Sequence, residues 1–279
     1  MIWEKRLQKD VMITSYSNKS VREVIQLNQK AKVRNAQGLF VVEGVKMFAE
    51  APEERIHKVY VAQRAETDLR NAYREKMDKL SVEIVADDVF DKMSDTKTPQ
   101  GILCLVRQFH YGLEELLAAS KNKKHMLLVL LEDLQDPGNL GTIFRTGEGC
   151  GADGIIMSSR TVDVYNPKVI RSTMGSVYRV PFLYTDDLSG TIRTLQEHDV
   201  SVYAAHLDGA KYYDEYDYRG GTAFLIGNEG NGLRKETTEC ADRLLRIPME
   251  GEVESLNAAV ASSVLMYEAY RQRRHMRET

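Results

Sequence analysis

Three loops in the second half of the chain hold residues whose types and spacing could do chemistry. The first runs Glu132-Asp133-Leu134-Gln135-Asp136-Pro137-Gly138-Asn139-Leu140-Gly141 and leads to Arg145. Asp136-Pro137-Gly138 reads as a turn, and Asn139 stands where a helix N-cap is expected. Arg145 falls in the first helical turns. A guanidinium there can pair with a surface carboxylate or, left free, grip a phosphate through its fixed fork of donors. The second loop, Gly227-Asn228-Glu229-Gly230-Asn231-Gly232, follows the apolar run Ala223-Phe224-Leu225-Ile226. Glycine at this density lets backbone approach a ligand closely. The lysine and hydroxyl of G-x-x-x-x-G-K-[ST] are missing, which speaks against a nucleoside triphosphate. The third loop, Ile247-Pro248-Met249-Glu250-Gly251-Glu252-Val253-Glu254, ends in Ser255-Leu256-Asn257. Ser255 is the expected N-cap of the last helix, and Asn257 in its first turn can aim an amide into the cleft.

Loops of this kind need a common scaffold. In open α/β sheets, ligands bind beyond the carboxyl ends of the strands. Strands are expected at 126–131, 154–158, 180–184, 201–205, 223–227 and 244–248, separated by stretches long enough for crossover helices. That pattern is a doubly wound parallel sheet, and the unbroken apolar run Met126-Leu127-Leu128-Val129-Leu130-Leu131 suits a central strand buried on both faces. The last helix is expected from Ser255 to about Arg274, with a small-residue run, Ala258 to Ser263, that permits close packing. The first half alternates short β-rich runs (39–43, 58–62, 81–85, 101–107) with polar helical stretches, the pattern of a small α/β domain. A helix at 20–32 precedes them. The expected organisation is a first domain over 1–110, a linker over 111–124 and a second domain over 125–279.

The net charge of −3 argues against nucleic-acid binding by charge alone, yet the charge is uneven. Residues 1–124 hold 22 Lys and Arg against 18 Asp and Glu, and residues 125–279 hold 16 against 23. Lys30, Lys32 and Arg34 stand in the basic N-terminal stretch and could neutralise phosphates or simply face solvent. Cys104, Cys150 and Cys240 are isolated, so neither a disulfide framework nor a metal site is expected. The six histidines show no ligand spacing. The longest apolar run is far short of the roughly 20 residues that cross a bilayer, and the charged residues 1–11 lack the apolar core of a secretory signal. A cytoplasmic location with no membrane partner is expected. The arginines at 271, 273, 274 and 277 read as a solvated helix end.

Gly149-Cys150-Gly151-Ala152-Asp153-Gly154 matches the dinucleotide fingerprint G-x-G-x-x-G. That motif must follow a strand and open a helix. Here it closes a helix and leads into a strand, so it is read as a helix C-terminal turn, and a nucleotide-dependent oxidoreductase is disfavoured.

In this order and spacing the three loops resemble the motifs of the SpoU (TrmH) family of RNA ribose 2′-O-methyltransferases, within the SPOUT class. The resemblance covers roughly Leu128 to Tyr270. Residues 13–110, with Phe40-Val41-Val42-Glu43-Gly44 most distinctive, resemble the ribosomal-protein-like domain that binds substrate ahead of it. The resemblance implies a deep trefoil knot, S-adenosylmethionine as cofactor, and a homodimer that completes the active site. It further implies a structured RNA substrate, 23S ribosomal RNA in first place, with transfer RNA or a non-catalytic RNA-binding role as alternatives. By resemblance, Leu225, Gly227, Ile247, Met249, Leu256 and Asn257 bind the cofactor. Arg145, Asn139, Glu229, Ser255 and Asn257 form the catalytic group, with Glu229 orienting Arg145 or pairing across the dimer. Lys30, Lys32, Arg34 and Arg145 touch RNA. The family's arginine has been proposed as a base. A guanidinium holds its proton far above neutral pH and is a poor proton acceptor, so Arg145 is assigned instead to phosphate and developing alkoxide charge.

Overall fold

The computed structural model describes residues 12–120 and 125–274. Residues 1–11, the Lys121-Asn122-Lys123-Lys124 cluster and Arg277 lie outside them. The chain divides into two compact units, Met1–Gln108 and Phe109–Thr279.

The first unit runs α1 (Lys19–Gln29), α2 (Ala31–Gln37), β1 (Leu39–Glu43), α3 (Val45–Glu50), β2 (Ile56–Ala62), α4 (Glu66–Met77), β3 (Val82–Val85), α5 (Asp87–Met93) and β4 (Ile102–Arg107). Its sheet has the order β1-β4-β2-β3, with β2 and β3 parallel and the other neighbours antiparallel. Val21, Val24 and Leu27 of α1 and Val89, Phe90 and Met93 of α5 cover one face, against Val41, Tyr60, Leu103 and Leu105.

The single helix expected at 20–32 is two helices, because Lys30 leaves the helical region (φ −128°, ψ 110°). The last carbonyls of a helix lack partners in the next turn, and Arg34 supplies them. Its guanidinium donates to the carbonyls of Leu27 at 2.6 Å and Asn28 at 3.3 Å, and the residue is only 3% exposed. Arg34 is therefore a clasp inside the fold, and its expected contact with RNA is corrected. Lys30 and Lys32 remain exposed.

The second unit runs α6 (Leu113–Ser120), β5 (Leu127–Leu131), α7 (Pro137–Cys150), β6 (Gly154–Ser158), α8 (Pro167–Thr173), β7 (Phe182–Thr185), α9 (Leu188–Glu197), β8 (Val200–Ala205), β9 (Lys211–Tyr212), β10 (Gly221–Ile226), α10 (Lys235–Glu239), β11 (Arg243–Arg246) and α11 (Ala258–Arg274). The segment expected as a linker carries α6, whose Leu116 and Leu117 are buried with Met126, Leu128 and Leu130 in this unit's core. The sheet order is β7-β6-β5-β10-β8-β11-β9, and every neighbouring pair is parallel. From β5 the chain moves outward through β6 and β7. It then returns to β8 on the other side, and β10 inserts between β5 and β8. The direction of winding reverses beside β5, so the ends of β5 and β10 flank the point where a ligand cleft is expected. The edge strand β9 was not expected, since two residues show no periodicity.

The fingerprint-like glycines close α7 as the sequence suggests. Gly151 takes the left-handed conformation (φ 71°), and the N–H of Ala152 donates to Gly147 O at 2.8 Å, a glycine C-terminal cap. Arg273 departs from the solvated helix end. It is 5% exposed and donates to the carbonyls of Tyr218, Gly220 and Met126, tying α11 to the segments that enter β5 and β10. Among the described residues no helix is long and apolar enough to cross a membrane.

Candidate active site

At the carboxyl ends of β8, β10 and β11, the second and third loops enclose a cavity of about 390 Å³. Gly227, Ile247, Met249, Ser255 and Leu256 line it, together with His206, Leu245, Arg246 and Glu254. At Gly227 a side chain has no room, because a Cβ would stand 2.3 Å from the carbonyl carbon of Gly232. The backbone itself is the wall there. Asn228 and Gly232 exchange N–H donations at 3.0 and 2.9 Å, and Asn228 Oδ1 accepts from the N–H groups of Gly230 and Asn231, which locks the loop shut.

Four of the six expected cofactor residues thus line the cavity, and two do not. Leu225 is fully buried in the core on β10: consecutive strand residues point to opposite faces, and its side chain points into the sheet packing. Asn257 caps α11 instead, with Oδ1 accepting from the N–H of Ala259 at 2.9 Å and Val260 at 3.3 Å. Two expected caps shift accordingly. Ser255 lies before α11 and lines the cavity. At α7 the N-cap is Asp136, whose Oδ1 accepts the N–H of Asn139 at 2.8 Å, with Pro137 in the first turn.

Asn139, freed from capping, joins the three loops. Its Nδ2 donates to Glu229 Oε1 at 3.0 Å, and its Oδ1 accepts from Asn257 Nδ2 at 2.9 Å. Both ends of this relay fix the amide orientations. A carboxylate only accepts, so Asn139 must turn its NH2 toward Glu229; helix N–H groups only donate, so Asn257 must turn its carbonyl toward α11. Glu229 also accepts the N–H groups of Gln135 at 3.0 Å and Asp136 at 2.9 Å. Burial pushes this carboxyl upward, but the Asn139 amide and the two backbone donors outweigh it and hold it below the usual carboxylate range. The expected pairing of Glu229 with Arg145 within the chain is not formed.

Arg145 is exposed on α7, does not line the cavity, and has no hydrogen-bond or ion-pair partner among the described residues. The helix that carries it is firmly seated. Gly141 passes so close to α8 that a Cβ would lie 2.2 Å from Ser172 Cβ, and Thr146 bonds Ser263 of α11 at 3.0 Å. Sequence reading missed His206, Leu245, Arg246 and Glu254 as cavity residues; they reach it from strand ends and loop flanks and carry no local signal. Among the described residues, no group of three His, Cys, Asp or Glu could hold a metal ion.

Fold and site together define a parallel α/β domain with a small-molecule cavity at its strand ends, preceded by a small α/β unit. Comparison with known proteins makes this specific. The family model described as the SpoU rRNA Methylase family matches residues 126–267, and the MRM3-like substrate binding domain matches residues 18–104. The chain is 30% identical to the 23S rRNA (guanosine(2553)-2′-O)-methyltransferase RlmP of Bacillus subtilis, over 91% of this chain and 97% of that protein. Among solved structures, it resembles an AdoMet-bound rRNA methyltransferase from Sinorhizobium meliloti (TM-score 0.79, 30% identity, 93% and 97% of the two chains covered). It also resembles the SpoU methyltransferase AviRb from Streptomyces viridochromogenes in complex with AdoMet (TM-score 0.81, 26% identity, 91% and 98% covered). The chain belongs to the SpoU rRNA methylase family of RNA methyltransferases.

Proposed function

We propose that the chain transfers a methyl group from S-adenosylmethionine to a ribose 2′-hydroxyl of 23S ribosomal RNA, acting in the cytoplasm as a homodimer with a trefoil-knotted second unit. The relay from Glu229 through Asn139 to Asn257 carries this reading, because it draws the three family motifs together around one cavity. The cavity fits the cofactor: its volume is that of a small-molecule site, with apolar walls from Ile247, Met249 and Leu256 and accessible backbone at Gly227. When bound there, the cofactor supplies an electrophilic methyl group on a sulfonium.

The chain's residues divide the remaining work. A guanidinium is a fork of donors with no acceptor, so Arg145 holds a phosphate beside the target ribose and stabilises developing charge on the 2′-oxygen. Glu229, Asn139 and Asn257 hold the loops in register. The dimer reading is supported by what one chain lacks, since Arg145 is not among the residues that line the cavity. The exposed ridge of α7 consists of Gly138, Thr142, Arg145 and Gly149. Met174, just past α8, and Val260 and Tyr267 on α11 stand apolar at 41%, 48% and 51% exposure. A second copy seated on this ridge would bring its Arg145 to the cavity. The knot rests on the family resemblance; residues 247–257 connect β11 to α11, which packs beside α7. The small unit, ribosomal-protein-like, would hold the RNA, with Lys30 and Lys32 facing it.

Incubation with labelled S-adenosylmethionine and unmodified 23S or transfer RNA tests the reading. Label should enter a 2′-hydroxyl of 23S RNA, and the protein should elute at twice the chain mass. Label on transfer RNA alone, or on a base, would overturn the substrate assignment.

A further inference from the structure

Behind the glycine loop lies a carboxylate that methyl transfer does not use. Glu132, just past β5, is 1% exposed, and its N–H donates to Ile226 O at 2.9 Å. Its Oε2 accepts the N–H of Arg234 at 2.7 Å. Its Oε1 accepts the hydroxyl of Thr237 and lies 3.0 Å from Arg234 Nε. Arg234 also reaches Asp133 Oδ1 through Nη2 at 3.2 Å. Asp133 holds a left-handed φ of 55°, and its carbonyl accepts from Asn228 Nδ2 at 2.8 Å. One arginine thus spans two consecutive carboxylates of the first loop from the exit of the second.

Removing a carboxylate from water is costly unless its partners are well placed, and a buried ion pair adds little net stability. This one stands where position matters. The glycine loop is closed on itself between Asn228 and Gly232, so it can shift as a body about its two ends. Pairing in β10 fixes the incoming end. The outgoing end enters α10, only five residues long, and the N–H of its N-cap residue Arg234 and the hydroxyl of Thr237 meet Glu132. At Gly227 the Gly232–Leu233 backbone occupies the space a Cβ would take, so a shift of that backbone moves the cavity wall directly.

We propose that Glu132 and Arg234 are positioning residues that set the glycine-loop wall of the cofactor cavity; the proposal rests on the cofactor reading above. The test uses Arg234→Lys and Arg234→Met in the full chain, with Glu132→Gln as a third variant. Three quantities are read: S-adenosylmethionine affinity by calorimetry, kcat at saturating substrates, and hydrogen exchange at the N–H groups of Asn228 and Gly232 without ligand. Arg234→Met should weaken the cofactor about tenfold and Arg234→Lys about threefold, since lysine keeps the charge but loses the fork. Exchange should quicken in the same order, with kcat within about twofold of the parent. Folded Arg234 variants with parental affinity and exchange overturn the proposal, as does a fall in kcat without a change in affinity. Should the parent protein not bind the cofactor, the cofactor reading fails, and exchange alone then decides whether the pair sets the loop. If Glu132→Gln does not fold, the Arg234 variants decide.

Discussion

Arg34 on α2 and Arg145 on α7 carry the same permanent charge, yet one is 3% exposed and clasped while the other stands bare. The difference lies in what the neighbouring helix ends require. α1 stops at Lys30 with the carbonyls of Leu27 and Asn28 unpaired by any following turn, and Arg34 is drawn inward to meet them. α7 asks for nothing. Asp136 caps its start, and the turn at Gly151 satisfies its end. The carboxylate of the site, Glu229, is already filled by Gln135, Asp136 and Asn139. A helix closed at both ends leaves its arginine free for a ligand.

The largest effect is expected where the arginine is bare. Arg145→Ala should lower kcat by about 10² to 10³, the loss typical of a missing donor to developing charge, while calorimetric S-adenosylmethionine affinity stays within about twofold. A parallel fall in both would erase the contrast by making Arg145 part of the cofactor site. Arg34→Met should do the opposite. Two carbonyls lose a charged donor in a buried setting, so thermal or denaturant unfolding should register a loss of about 2 kcal/mol. Cofactor affinity should not change. If Arg34→Met is as stable as the parent but binds RNA poorly, the clasp is the wrong description.

The unequal fates of the two arginines bear on what a sequence can express. Apolar runs placed β5, β6, β8, β10 and β11 to within two residues, because a buried parallel strand writes itself as a continuous hydrophobic segment. Order and spacing marked the three loops. Their wiring was not legible: Glu229 meets Asn139 across 90 residues and Asn257 meets Asn139 across 118, and no local pattern encodes such distances. The caps went astray for a related reason. Asp136, Asn139, Ser255 and Asn257 are all competent caps by type, and the contacts of Asn139 with Glu229 and Asn257, made far along the chain, draw it away from that role. Arg34 looked like its lysine neighbours because burial of a charge depends on a helix break that periodicity does not announce.

The wiring has its own pH signature. Glu229 is depressed by its hydrogen bonds, so its ionised form is the bonded one. A depressed carboxyl contributes its stabilisation above its unfolded value, near 4.3 on an approximate scale, and loses it as pH falls through the lower folded value. The stability this group contributes should therefore be flat from about pH 8 to pH 5 and decline only in stronger acid. Asn139→Asp would set a second carboxylate against Glu229, and two carboxylates sharing a site drive one upward. The decline should then begin about one pH unit higher. Denaturant unfolding followed against pH for both proteins checks this. Coincident curves would mean that the Glu229–Asn139 contact does not hold the site together.

The smallest effect is expected on the lysines beside the Arg34 clasp. Lys30 lies at the bend that Arg34 stabilises and Lys32 in the first turn beyond it, both exposed. If they meet phosphates, Lys30→Ala with Lys32→Ala should reduce the slope of log RNA affinity against log salt by roughly 1.5, since each neutralised phosphate contributes about 0.7 to 0.9. Binding measured over a range of salt separates this from unfolding, because kcat at saturating RNA and thermal stability should both stay at parental values. Arg34→Met provides the control. Being internal, Arg34 releases no counterion when RNA binds, so the folded fraction of that variant should keep the parental slope. An unchanged slope in the double lysine variant would leave the bend as a purely internal feature of the first unit and move the search for its RNA face to the basic residues of α1, Lys19 and Arg22.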